Sequence, residues 1–131
     1  MAKYVIGVDV ALRLASDGTV PGGDHKLLAP TLLRSQVLAQ LYQAVGRGEL
    51  TKQDASRRLD HVRALHIRLL GDRVLQNTAW KVAERLGWPD TYDAEYVALT
   101  QLQGDALVTL DHRLAGAARE LVKVVSPNAL G

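Results

Sequence analysis

The chain has 131 residues, a formal charge of +2 and no cysteine. That length holds one domain with one substantial core, and the missing thiols exclude disulfides, thiolate zinc sites and a cysteine nucleophile. With 47% hydrophobic and 23% charged residues the composition is that of a folded globular chain. Phenylalanine is absent, so the core has to come from Leu, Val, Ala and Ile, with Tyr and Trp as the aromatic fillers.

In chain order, "KYVIGVD" is a short apolar run closed by an acid and predicts a buried strand ending at Asp9. "ALRLASDG" predicts one or two helical turns stopped at Asp17-Gly18, and "TVPGGD" a loop. "KLLAP" predicts a second short strand ending at Pro30. From Thr31 to Val45 the apolar positions Leu32, Leu33, Val37, Leu41, Ala44 and Val45 recur at helical spacing, up to Gly46 and Gly48. Thr51 predicts an N-cap, with Asp54 in the first turn and Ala55, Leu59, Val62 and Leu65 facing inward.

"HIRLLG" predicts a brief strand, followed by a helix over 75–86 that stops at Gly87. Pro89 and Asp90 introduce a helix over 91–103, stopped by Gly104. "ALVTLD" predicts a buried strand ending at Asp111, "HRLAGAARE" a helix, and "LVKVVSP" a last strand. Short apolar strands alternating with helices predict an α/β fold: a single domain over 1–131 with a central parallel sheet of four to five strands covered by helices on both faces.

The apolar N-terminal run is too short to span a membrane and lacks a secretory cleavage pattern. A reducing, cytoplasmic setting is the expectation. The pI of about 9.1 is compatible with nucleic acid without arguing for it. Arg57, Arg58, Arg63, Arg68 and Arg73, with His61 and His66 among them, form either a solvated helix face or a phosphate-facing surface.

Three acids carry the functional reading. In open α/β sheets ligands bind beyond the carboxyl ends of the strands, where Asp9 and Asp111 are expected. Asp93 opens "DAEYVAL", a helix apolar on nearly every side except Glu95. Asp90 already serves that helix's N-terminus, so a second acid there is expected to be poorly solvated and in need of a partner. Were the three carboxylates to converge to about 5 Å, each pair would repel by roughly 3 kcal/mol at an effective dielectric near 20. A hard divalent cation such as Mg²⁺ or Mn²⁺ removes that penalty. The four histidines show no matched zinc spacing beside the acids.

"VIGVD", "TYDAEYVALTQ" and "DALVTLDHRLA" together resemble a PIN domain, specifically the VapC-type toxin ribonucleases of bacterial toxin–antitoxin pairs. The similarity runs through nearly the whole chain in element order, including "APTLLRSQVLAQLYQAVGRGELT". The resemblance implies a Mg²⁺- or Mn²⁺-dependent endoribonuclease with four acids, of which Asp9, Asp93 and Asp111 match three. The fourth is usually a glutamate in the helix after the second strand, where Gln36 stands here. Asp90, Glu84 and Glu95 are the candidates to supply the missing oxygen, with Asp90 one helical turn from Asp93 the best of them.

Thr109 matches the family's hydroxyl beside the last acid, and is equally an ordinary strand residue. Ala11 departs from the small hydroxyl or amide residue often found two after the first Asp. Arg113 and Arg13 are candidate phosphate contacts or plain surface residues. The resemblance also implies an RNA substrate, a small VapB-like antitoxin and a homodimer, with no membrane partner. A rival reading keeps the fold as a binding module for antitoxin or RNA with weak or absent catalysis. A phosphoacceptor receiver domain fits poorly, because "GVDVA" holds a single acid and "VVSPNAL" no lysine.

Overall fold

The computed structural model describes residues 2–131. Its elements in chain order are β1 (Lys3–Ile6), α1 (Val8–Asp17), β2 (Lys26–Pro30), α2 (Leu32–Gly46), α3 (Lys52–Ala64) and β3 (Arg68–Leu70), then α4 (Arg73–Leu86), α5 (Tyr92–Gln103), β4 (Ala106–Val108), α6 (His112–Ala118) and β5 (Val124–Val125). A short 3-10 turn over Pro127–Leu130, which no sequence signal announced, follows β5. The five strands form one sheet in the order β3-β2-β1-β4-β5, and every neighbouring pair is parallel.

Consecutive strand residues point to opposite faces of a sheet. Val5 and Ile6 in the central strand are both fully buried, as are Ala106, Leu107 and Val108 in β4. Helices therefore cover both faces, as the near-continuous apolar strands predict. α1, α2 and α3 pack on one another; α4 pairs with α5, which lies against β1, β2 and β4. Right-handed crossovers place these two groups on opposite faces.

The local signals mostly act where expected. The Thr51 hydroxyl accepts a hydrogen bond from the Asp54 amide and starts α3. Gly18 and Gly87 end α1 and α4 in the left-handed conformation that a side chain disfavours. α4 begins two residues before the predicted Leu75 because Asp72 caps it, accepting from the Leu75 amide.

Both strand-end assignments of the acids need correction. β1 stops at Ile6 and α1 starts at Val8, so Asp9 lies in the first turn of a helix. β4 stops at Val108, and Asp111 is the N-cap of α6. An apolar run followed by an acid reads identically whether the chain stays extended or turns at once into a helix. The buried aromatic is Tyr96, whereas Trp80 lies open to solvent.

Leu107 is fully buried in β4, between β1 and β5. Leu107→Ala is expected to cost about 2–5 kcal/mol of stability, read as a lower denaturation midpoint with an unchanged denaturant slope.

Candidate functional site

β1 and β4 are neighbours, and the chain leaves them in opposite directions: β1 connects to β2 on one side, β4 to β5 on the other. Such a reversal opens a crevice beyond the strands' carboxyl ends. Asp9 and Asp111 both follow strands that end there. Gly7 makes the approach possible. Its amide donates to the Val108 carbonyl across the two strands, and a Cβ at that position would lie 2.7 Å from Asp9 Oδ1.

Asp9 is held by three donors. Its Oδ1 accepts from the Val10 amide at 2.8 Å, and its Oδ2 accepts from the Thr109 hydroxyl and the Leu110 amide, each at 3.0 Å. The Thr109 oxygen in turn accepts from the Asp111 amide at 3.1 Å. Thr109 is itself buried, so this hydroxyl ties the β1–α1 junction to the β4–α6 junction. Asp111 Oδ1 accepts from the Arg113 and Leu114 amides and caps α6, which leaves Oδ2 uncommitted among the described residues.

Asp93 comes from α5. Its half-buried carboxylate has no hydrogen-bond donor among the described residues. Burial raises its pKa above the ordinary carboxylate value, and the negative charge of Asp111 raises it further. Arg113 works against that shift, while Asp90 and Asp9 add to it. The three aspartates thus act within one electrostatic field. Among the described residues, however, no three Asp, Glu or His side chains are gathered closely enough to form a ready ligand set, so the expected tight convergence is not present. The available donors are hard carboxylate oxygens with little cationic compensation, which is the chemistry that suits Mg²⁺ or Mn²⁺.

Gln36 is drawn to the same place. It is half-buried on α2, and the Tyr96 hydroxyl donates to its Oε1 at 2.6 Å. Tyr96 lies one turn after Asp93, and its phenol pKa is raised by burial first, then by Glu95, Asp9 and Asp93. The amide therefore stands at the margin of the acidic field, paired with a neutral phenol. Tyr96 was not singled out in the sequence; its spacing from Asp93 was the available signal.

The remaining candidates separate clearly. Asp90 raises the Asp93 pKa from the N-terminus of α5, where it accepts from the Tyr92 amide. Glu84 and Glu95 instead line a groove between α4 and α5 with Trp80 and Thr91. Arg113 is exposed, with its charge felt at Asp93. Arg13 is exposed on α1 and makes no ion pair among the described residues. Ala11 is fully buried, so at this position packing occupies the place of a polar side chain.

A carboxyl whose pKa is higher in the folded chain binds more protons there than in the unfolded chain. Its charge therefore costs stability as pH rises from the unfolded value through the folded one. Asp93→Asn is expected to raise Tm at neutral pH, with the difference vanishing below the ordinary carboxylate range. Thermal unfolding of both proteins across that range measures it.

No family model matches this sequence, and no curated protein matches it. Among solved structures, the chain is similar to the crystal structure of PAE2754 from Pyrobaculum aerophilum, with a TM-score of 0.73 and 22% sequence identity, covering 98% of this chain and 93% of that one. At that identity the likeness establishes the fold.

Proposed function

We propose that this protein is a PIN-type endoribonuclease of the VapC class, hydrolysing RNA phosphodiester bonds at the crevice between β1, β4 and α5. The observation that carries the reading is Asp93: a half-buried carboxylate without a donor, in the field of Asp111 and Asp9. Carboxylates shifted by burial and by a neighbouring like charge are concentrated at functional sites.

In this reading Asp9, Asp93 and Asp111 would hold Mg²⁺ or Mn²⁺. When bound, such an ion supplies positive charge that stabilises the phosphoryl transition state and eases deprotonation of the attacking water. The chain's own contribution is placement. Thr109 and Leu110 fix the Asp9 carboxylate, and the α6 cap fixes Asp111. Arg113, exposed beside Asp111, is suited to a substrate phosphate. No side chain has to act as nucleophile.

Gln36 favours a second reading, a PIN-fold module that binds antitoxin or RNA with weak catalysis. Its pairing with Tyr96 leaves the site a formal charge short of the four-acid pattern. A small VapB-like antitoxin and a homodimer belong to either reading. Exposed Leu38 and Tyr42 on α2 and Trp80 on α4 offer apolar surface for such partners. No helix is long and apolar enough to cross a membrane.

Wild type is expected to cleave RNA only with Mg²⁺ or Mn²⁺, and Asp93→Asn to reduce cleavage to background. Cleavage without added divalent ion, or undiminished in Asp93→Asn, would refute the metal site at these aspartates, and no cleavage by wild type with either ion would refute the nuclease. Thr109→Val removes the hydroxyl that holds Asp9, and activity is expected to fall about 10–100-fold. Gln36→Glu is expected to raise both Mg²⁺ affinity by calorimetry and the cleavage rate. In the binding-module case, wild type binds RNA without cutting it and Gln36→Glu gains cleavage.

A further inference from the structure

The arginine- and histidine-rich stretch noted in the sequence has no part in the acidic crevice, and the structure divides it. Arg57 is paired with Asp54 and Arg63 with Asp60 on the surface of α3. The His61 Nε2–H donates to the Thr19 carbonyl at 2.7 Å and ties the loop before β2 to α3. His66 and Arg68 lie elsewhere. With His25 and Lys26 they line a cavity of about 340 Å³, whose other walls are apolar residues of the same loop, β2 and the end of α3.

The cavity sits at the amino ends of β2 and β3, the opposite end of the sheet from Asp9 and Asp111. Four basic or imidazole residues line it, and among the described residues its lining contains no Asp or Glu. Asp24, next to His25 in the chain, is exposed and outside that lining. Neither Lys26 nor Arg68 has an ion-pair partner among the described residues. One further observation singles the place out. His25 Nδ1 is buried without a hydrogen-bond partner among the described residues, while its ring meets Tyr4 edge-on. Buried polar atoms left in this way call for a water, ion or ligand. His66 has φ 54°, the one positive value outside glycine among the described residues. That residue directly follows the C-cap of α3, where a left-handed conformation commonly ends a helix, and histidine adopts it more readily than most side chains.

We propose that this cavity binds a phosphate group, with Lys26 and Arg68 supplying charge and His25 and His66 supplying imidazole donors. Guanidinium and imidazole donors around an acid-free concavity match the tetrahedral, multiply accepting phosphate. The site does not depend on the acidic crevice or on any activity there. The phosphate could belong to a free anion or to an RNA backbone, and the two sources are separable.

The chain has only four histidines, so the His25 and His66 ring resonances can be followed by NMR during titration with inorganic phosphate, and separately with a single-stranded RNA oligonucleotide. Saturable shifts of both rings are expected. A response to inorganic phosphate alone identifies a small anion. A response to RNA that phosphate competes away identifies the backbone. Either upholds the site. Arg68→Gln is expected to weaken binding about tenfold, the loss of one charge-assisted hydrogen bond. His66→Gly is expected to weaken it as well while keeping or raising Tm, since glycine accepts that φ without strain. No saturable shift with either probe, or unchanged affinity in both variants, overturns the proposal.

Discussion

One hydroxyl joins the two halves of this fold at its acidic end. Thr109 donates to Asp9 and accepts from the Asp111 amide, so a carboxylate at the start of α1 and the cap of α6 are set by a single buried side chain. The backbone reinforces it: the Gly7 amide reaches Val108, and the Leu110 amide reaches the same Asp9 oxygen. Three donors around one carboxylate offset much of the cost of taking that charge partly out of water. This small network joins the ends of β1 and β4, and Asp93 on α5 lies within reach of the charges of Asp111 and Asp9.

The two ends of the parallel sheet have opposite character. At the carboxyl ends of β1 and β4 stand Asp9, Asp111 and, through α5, Asp93, with Asp90 nearby. At the amino ends of β2 and β3 stand Lys26 and Arg68 with two imidazoles. A formal charge of +2 over the chain conceals this separation. The sheet core between them is entirely apolar, from Val5 and Ile6 to Leu107 and Val108. The two charged regions therefore stand at opposite ends of the sheet.

Much of the architecture was legible because local chemistry and tertiary packing agree here. Thr51 caps α3 as its sequence suggests, glycines end α1 and α4, and apolar spacing marks the buried faces of α2 and α5. The strand-to-helix junctions were not legible, because hydrophobicity continues across them: Val8 and Val10 belong to a helix, and Leu110 lies beyond β4. The three acids could be picked out, yet not their unequal standing. Hydrogen bonds fix Asp9 and Asp111, and Asp93 alone is left without a donor among the described residues. The partner of Gln36 was hidden for a similar reason, since a hydrogen bond spanning residues 36 and 96 leaves no local trace. The cationic cavity depended on the β2–β3 register, which composition does not encode.

The strand order has a consequence for how the molecule comes into being. Of the five strands β1 is made before the others and ends up in the middle of the sheet, yet one of its two neighbours, β4, follows only after roughly a hundred residues of further synthesis. At ribosomal speed that interval is about 5–20 s. Throughout it the nascent β1 lacks one flank, and Asp9 lacks Thr109 and Leu110. A growing chain therefore carries Asp9 without the donors that later hold it, and the β1–α1 junction is completed only once β4 and the turn after it have been made.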